Sequence, residues 1–227
     1  MYSMPIHTFL KPHSSDLCLV TNHKAGAFSL NLMIKREDIC GYLLDNMMHL
    51  GEILLKKKKE FLDEKLVLYK SDISDAYQNI SMHILWPIKQ VYMIQGKQHV
   101  SFRNCFGGKG SGLLFIAFNL LVTWIGKNVY QVLDLCTYSD DSFGVELARN
   151  MTFYDPYNCY MPTNQVMLLN LWDHLGIPHK EKKQAFGENL TIIGIDVNAN
   201  NLTLTLPEQN KLELVAILND FARTPES

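Results

Sequence analysis

The residues best suited to chemistry are acids that stand between apolar segments. Asp140 and Asp141 adjoin two strand-like runs, and Asp72 comes shortly after a third apolar run at residues 66–69. Asp is a common turn residue, so an isolated Asp-Asp pair usually marks only a solvated hairpin tip. Because a separate strand also ends in an acid, these carboxylates are candidates for one shared site.

Such a cluster suits phosphoryl transfer with two divalent cations. Carboxylates on rigid strands can hold two ions about 3.5–4 Å apart, one activating the attacking hydroxyl and the other neutralising the leaving oxygen. Mg²⁺ prefers these oxygen ligands, and Mn²⁺ is the alternative ion. The spacing of Asp72 from Asp140 and Asp141 is compatible with one site but does not establish it.

Hydrophobic periodicity predicts the elements that must position these acids. The predicted order is typical of an α+β fold with a mainly antiparallel sheet and helices on one side. Residues 37–68 have helical spacing, and the lysines at 56–59 are interpreted as a solvated helix face. The remaining predictions are strands at 17–20 and 66–69, a short helix or turn at 76–84, hairpins at 91–102, 131–147 and 190–206, and helices at 113–127, 162–175 and 208–221.

A glycine-rich segment, residues 106–112, precedes the long apolar helix. Backbone N–H groups at a helix start can bind phosphate. The segment nevertheless matches neither common phosphate-binding signature, because Gly110 follows Lys109 and Leu113 stands where the dinucleotide pattern requires glycine. A nucleotide-binding domain with Asp134 as its distal acid is a rival hypothesis. It requires a parallel sheet and a strand directly before Gly107, and an antiparallel sheet would exclude it.

The composition is that of a globular protein, with 47% hydrophobic and 19% charged residues. The net charge of −2 gives no support to a nucleic-acid partner. Five cysteines without a C-x-x-C pair predict a reduced intracellular protein without a zinc site or disulfide framework. No signal peptide is visible, and the apolar stretch 113–125 is too short to span a bilayer. We therefore expect a soluble protein of the cytoplasm or nucleus with no membrane partner.

Five segments, in order, resemble the motifs of retroelement reverse transcriptases. Residues 72–77 (DISDAY) resemble the first catalytic motif, 106–115 (FGGKGSGLLF) the glycine-containing template-grip motif, and 138–141 (YSDD) the Y-x-D-D box. Residues 175–186 and 192–194 are similar to the two motifs that follow. The resemblance covers nearly the whole chain and is closest in style to fungal retrotransposon polymerases.

The resemblance implies a right-hand polymerase palm, which is a ferredoxin-like antiparallel sheet with helices on one face. Residues 1–66 would be a partial fingers segment, 67–206 the palm, and 207–227 the start of a truncated thumb. The implied activity is that of an RNA-directed DNA polymerase, a template-directed synthesis of DNA from dNTPs. Its partners would be an RNA or DNA template with a primer, and protein partners are not indicated.

The resemblance also assigns roles to single residues. Asp72, Asp140 and Asp141 would be catalytic residues that bind the two metal ions, with the backbone carbonyl of Ile73 as an extra ligand near the nucleotide. Gly194 and its hairpin would hold the primer end.

Other roles concern the nucleotide. Tyr77 would lie under the sugar and exclude a 2′-hydroxyl, although a tyrosine there could equally be a core residue. Gly107 and Gly108 would let the backbone approach the nucleotide and template closely. Lys183 would assist the pyrophosphate leaving group, with Lys182 as the alternative, and both could instead be plain surface lysines.

One position departs from the family pattern. Reverse transcriptases usually have an arginine where this chain has Cys18, and a thiol cannot supply a cationic fork. Loss of such a contact would cost about 2–4 kcal/mol of transition-state stabilisation. The alternative function is therefore a catalytically impaired remnant that at most binds nucleic acid. The cations that could compensate are Lys11, Lys24, Lys35 and Arg36.

Overall fold

A computed structural model describes residues 3–10, 17–26, 29–39 and 41–223, and for residues 17–19 it describes the backbone alone. Lys11 and the side chain of Cys18 lie outside the described part of the chain. The chain divides into two compact units. The first comprises Met1–Leu44 and Ile73–Val122, and the second comprises Asp45–Asp72 and Thr123–Ser227. The predicted segmentation into fingers, palm and thumb stays a prediction.

The described residues form a mixture of short strands and longer helices. The strands are β1 (Ile6–Leu10), β2 (Leu17–Thr21), β3 (Leu66–Ile73), β4 (Val91–Ile94), β5 (Lys97–Val100), β6 (Cys136–Tyr138), β7 (Asp141–Leu147), β8 (Met151–Tyr154), β9 (Cys159–Pro162), β10 (His179–Gly187), β11 (Asn189–Ile192), β12 (Ile195–Asn198) and β13 (Thr203–Thr205). The helices are α1 (Leu30–Met33), α2 (Met47–Glu60), α3 (Ser111–Asn128), α4 (Thr163–Leu175) and α5 (Glu208–Arg223).

A four-stranded sheet with the order β10-β3-β7-β6 is the centre of the second unit. β7 pairs antiparallel with both β3 and β6. The first residues of β3, Leu66 to Tyr69, are all buried, as are most of those of β7. Because side chains alternate between the two faces of a strand, Leu66 and Leu68 point to one face, where they pack with Leu50 and Leu54 of α2 in the main hydrophobic core.

Helix α2 is shorter than the helical pattern of residues 37–68 suggested. Its start is fixed by a capping box, in which the Asn46 side chain accepts hydrogen bonds from the backbone N–H groups of Met48 and His49 and His49 Nδ1 accepts from Asn46 N–H. The solvated interpretation of all four lysines was wrong for Lys57. It is buried and pairs with Asp134 at 2.9 Å, because its side chain points towards the sheet side of the helix.

The third predicted hairpin is a three-stranded sheet with the order β11-β12-β13. Its first apolar run, predicted as one strand, folds back on itself at Ile193 and Gly194, both of which have positive φ (49° and 75°). The loop between β12 and β13 is hydrogen-bonded to the central sheet. The Asn200 side chain in this loop donates to the Leu66 carbonyl oxygen and accepts from the Leu66 N–H.

The first unit contains two hairpins and most of α3. β1 pairs antiparallel with β2, and β4 pairs antiparallel with β5 across a tight turn at Gln95 and Gly96. Both turn residues have positive φ, as the common two-residue hairpin turns require. The predicted hairpin is thus confirmed, with its second strand starting at Lys97.

The predicted α+β class with antiparallel sheets is confirmed, because every strand pairing with a described register is antiparallel. The rival nucleotide-binding hypothesis fails on these observations. Its sheet had to be parallel, no strand directly precedes Gly107 in the described residues, and Asp134 is engaged by Lys57.

Among the described residues one helix, α3, is long and apolar enough to cross a membrane by length and composition alone. The core helices of soluble proteins pass the same test, so this is weak support for a membrane span. Helix α3 extends beyond the apolar stretch 113–125, so the expectation that this segment is too short to span a bilayer was wrong. A soluble protein remains consistent with this weak signal, and the cellular compartment stays a prediction.

Candidate active site

Two of the three predicted acids lie directly opposite each other on neighbouring strands. Asp72 near the end of β3 is the register partner of Asp141 at the start of β7. Directly opposed residues in an antiparallel pair have Cβ atoms about 4.5–5.5 Å apart. Asp72 and Asp141 therefore lie on the same face of the sheet, at the end where β3 finishes and β7 begins, as their motifs predicted.

Asp140 occupies the turn that joins β6 to β7. Tyr138 and Asp141 are the last paired residues of this hairpin, so Ser139 and Asp140 form its two-residue tip. Ser139 has φ 57°, in the left-handed region that such tight turns need. This geometry places Asp140 directly beside Asp141 and at the same end of the sheet as Asp72.

Each of the opposed acids is held by a lysine. Lys183 on β10 places Nζ 2.8 Å from Asp72 Oδ1, and Lys70 on β3 places Nζ 3.0 Å from Asp141 Oδ2. The predicted residue Lys183 thus lies at the acid cluster. Its alternative, Lys182, is exposed and points to the opposite face of the strand.

Burial and repulsion by neighbouring acids make the carboxyl groups of Asp72 and Asp141 harder to ionise. Burial raises the pKa of Asp72, and the charges of Asp140 and Asp141 raise it further, against the lowering effect of Lys183. Burial likewise raises the pKa of Asp141, which Lys70 lowers and Asp140 raises. The three carboxylates are therefore close enough to repel one another, which is the condition that bound cations would relieve.

The three carboxylates are ligands of the right chemical type for divalent metal ions, but their side chains are not arranged to share one ion. Asp72, Asp140 and Asp141 supply the oxygen ligands that Mg²⁺ and Mn²⁺ take. The described residues nevertheless contain no group of three acidic, histidine or cysteine side chains arranged to share one ion. Lysine ammonium groups contact Asp72 and Asp141 instead, so an ion at either carboxylate has to displace or accommodate an ammonium group.

A buried glutamine fixes the backbone beneath the cluster. Gln165 on α4 is fully buried and its Nε2 donates to the carbonyl oxygen of Lys70 at 3.1 Å and to Ser71 Oγ at 3.1 Å. It also approaches the carbonyl oxygen of Ala185 on β10 at 3.4 Å. Gln165 thus links the two strands that carry Asp72 and Lys183, a contact that no motif in the sequence indicated.

The residues predicted to contact the nucleotide belong largely to the first unit. Ile73 ends β3 with a fully buried side chain. The ring of Tyr77 packs against the rings of Phe106 and Phe115, with centroid distances of 4.7 Å and 5.5 Å. The core-residue interpretation of Tyr77 therefore has direct support, and its predicted contact with a sugar stays a prediction.

The glycine-rich segment is held by the side chain of Asn31, a residue of the short helix α1. Asn31 Nδ2 donates to the carbonyl oxygen of Gly107 at 3.0 Å, and Asn31 Oδ1 accepts from the N–H of Lys109 at 2.6 Å. Gly107 has φ 99°, and a Cβ there would lie less than 3.0 Å from the carbonyl oxygen of Thr21. Glycine is thus required at Gly107 by the packing of this unit alone.

Gly108 and Gly194 have different surroundings. A Cβ on Gly108 would meet the hydroxyl group of Ser111, a side chain that can rotate away. Gly194 lies in the turn between β11 and β12 with open space around it. The predicted nucleotide contact of Gly108 and the predicted primer contact of Gly194 stay predictions. The exposed residues Lys24, Lys35 and Arg36 remain only candidates to compensate for Cys18.

No family model matches the chain, and no curated protein matches it. Solved structures do. The foamy viral protease-reverse transcriptase dRH in complex with double-stranded DNA matches 99% of this chain with a TM-score of 0.65 and 16% identity. The foamy viral protease-reverse transcriptase in complex with double-stranded DNA matches 97% (TM-score 0.63, 17% identity), and the same enzyme in complex with an RNA/DNA hybrid matches 93% (TM-score 0.61, 16% identity).

The chain spans only 33%, 43% and 24% of the lengths of these three proteins, in the same order as above. At this level of identity the likeness concerns the fold and not the chemistry. The chain has a reverse-transcriptase-like fold.

Proposed function

We propose that this chain is the palm-containing part of a reverse transcriptase, which synthesises DNA from dNTPs on an RNA or DNA template by two-metal nucleotidyl transfer. The observation that carries the proposal is the register of β3 and β7, which sets Asp72 opposite Asp141 with Asp140 in the adjoining turn. The reverse-transcriptase-like fold supports it independently of the motifs.

The three carboxylates would hold the metal ions. Bound Mg²⁺ or Mn²⁺ would activate the primer hydroxyl and neutralise the leaving oxygen. The chain's own contribution is to fix the backbone positions of Asp72 and Asp141 on paired strands. Lys183 and Lys70, which contact these carboxylates, have to give way when the ions bind. Lys183, which pairs with Asp72 at 2.8 Å, is an ammonium group that would meet the negative charge of the leaving pyrophosphate.

The template, primer and dNTP assignments rest on the resemblance and on the neighbours. The neighbouring reverse transcriptases are complexes with double-stranded DNA or an RNA/DNA hybrid, and a polymerase of this fold would take the same class of ligand. Tyr77 would select against a 2′-hydroxyl, Gly107, Gly108 and Ile73 would border the nucleotide, and Gly194 would border the primer. The finer likeness to fungal retrotransposon polymerases finds no support among the neighbours and stays a prediction.

A second candidate is a catalytically impaired remnant that binds nucleic acid. Two observations favour it: Cys18 stands where the family has an arginine, and lysines engage Asp72 and Asp141 in place of a ready-made metal site. The intact set of three acids favours the enzyme, because a remnant has no reason to keep three like charges together at half-buried positions.

Primer extension on RNA and DNA templates with dNTPs and Mg²⁺ or Mn²⁺ separates the two candidates. We expect extension by the wild-type chain and its loss, by a factor of about 10² or more, in Asp140→Asn. Asp155→Asn makes the same chemical change at an exposed acid of the second unit and should keep activity. Extension that survives Asp140→Asn excludes the proposed site. A folded wild-type chain that binds primer–template without extending it supports the remnant.

A further inference from the structure

We propose that Lys70 is a positioning residue that acts as a built-in counter-ion, holding the Asp141 carboxylate when no metal is bound and weakening divalent-cation binding there. This inference rests on the proposed function. No motif and no resemblance assigns a role to Lys70, and the geometry of β3 points to it.

The position of Lys70 follows from the strand register. Lys70 precedes Asp72 by two residues on β3, so both side chains point to the same face. Lys70 lies opposite Phe143 and therefore diagonal to Asp141. Diagonal neighbours remain within reach of a long side chain, and the observed Nζ to Oδ2 distance is 3.0 Å.

The pair is shielded enough for its charges to act on each other. Only 27% of the Lys70 side chain and 22% of the Asp141 side chain are exposed. Charges in such surroundings are screened less than surface charges. The Lys70 backbone is fixed as well, because its carbonyl oxygen accepts a hydrogen bond from Gln165. A change of the Lys70 side chain should thus alter the charge without moving β3.

The ammonium group and a metal ion need the same carboxylate. A cation bound at Asp141 would lie within a few ångströms of Lys70 Nζ and be repelled by it. Without metal the same ammonium group offsets the repulsion that Asp141 experiences from Asp140 and the repulsion that it exerts on Asp72. Lys70 should therefore stabilise the metal-free chain and raise the metal concentration needed to fill the site.

Titration of the full chain with Mn²⁺, followed by electron paramagnetic resonance, measures this effect directly. Lys70→Met keeps the length of the side chain and removes its charge, and it should bind Mn²⁺ about tenfold more tightly than wild type. Lys70→Arg keeps the charge and should stay within about twofold of wild type. Lys65→Met removes a charge at an exposed position just before β3 and should also stay within about twofold.

Thermal unfolding gives a second readout. In the presence of a chelator Lys70→Met should unfold at a lower temperature than wild type, and added Mn²⁺ should raise its unfolding temperature by more. Mn²⁺ affinity that is equal to or weaker than that of wild type in a folded Lys70→Met chain overturns the inference. A different result would contradict the proposed function itself. In that case the wild-type chain would not bind Mn²⁺, or Asp140→Asn would leave its Mn²⁺ affinity unchanged.

Discussion

Gly107→Ala tests whether the glycine-rich segment is held by packing within its own unit. Gly107 has φ 99°, and its added Cβ would lie less than 3.0 Å from the carbonyl oxygen of Thr21. That oxygen cannot retreat easily, because Thr21 is paired with Ile6 in the β1–β2 hairpin and its hydroxyl donates to the Phe106 carbonyl oxygen at 3.0 Å. The substitution must therefore push the segment away from β2.

Two costs add up at this position. A non-glycine residue in the left-handed region costs about 1–2 kcal/mol, and forcing an extra carbon into a packed site costs about 1–3 kcal/mol. Gly96→Ala is the matched control, because Gly96 also has positive φ (75°) but nothing lies within 4 Å of its added Cβ. We expect a loss of about 3 kcal/mol in the free energy of unfolding for Gly107→Ala and about 1 kcal/mol for Gly96→Ala.

Urea unfolding of the two variants, compared with wild type, measures the difference. The packing cost appears as the excess of the Gly107→Ala loss over the Gly96→Ala loss. Equal losses would refute the close approach of Gly107 to Thr21. They would leave the positive φ of Gly107 and ligand binding as the remaining reasons for a glycine there.

Three further predictions concern the second unit. In Gly144→Ala the new Cβ would lie 2.5 Å from Tyr69 Oη, so urea unfolding should show a loss of about 1–3 kcal/mol, and an unchanged midpoint would contradict this packing. Lys57→Met leaves the Asp134 carboxylate without its 2.9 Å partner and should cost about 1–3 kcal/mol, part of which Asp134→Asn should restore; no recovery in the double variant would mean that the pair is not coupled. Burial raises the pKa of Cys136 from its ordinary value of 9.0 to about 12. Between these values the native chain holds a proton that the unfolded chain releases, so the free energy of unfolding should fall as pH rises above 9, by about 1.4 kcal/mol per pH unit. Cys136→Ala should make the decline shallower, and an identical decline would contradict the burial of the thiol.

Strands made of a compact apolar run, such as β3 and β7, were predictable, and the polar strand β10 was not. The buried runs of β3 and β7 stood out as compact apolar segments next to acids. β10 was missed, because it reads HKEKKQAFG, a largely exposed strand whose conformation comes from its pairing with β3 and not from burial. The turn at Ile193 and Gly194 could not be predicted either, because it lies inside residues 190–197, a segment with the pattern of a single strand.

The acids of the candidate site could be found from the sequence, but their partners could not. Asp72, Asp140 and Asp141 stand in motif context, and the register of β3 and β7 brings them together as expected. Lys70 had one available signal, its spacing of two residues from Asp72 on a strand, which places both on one face. Its contact with Asp141 depends on the register between strands, which residue types alone do not specify.

Iron-mediated hydroxyl-radical cleavage tests the central claim most directly, because an Fe²⁺ ion that replaces the bound metal cuts the backbone next to its ligands. We predict cuts in the wild-type chain near residue 72 and near residues 140–141, suppressed by excess Mg²⁺ and lost together in Asp140→Asn. Cutting at only one of these two segments, or at neither, would contradict a metal site shared by the two strands.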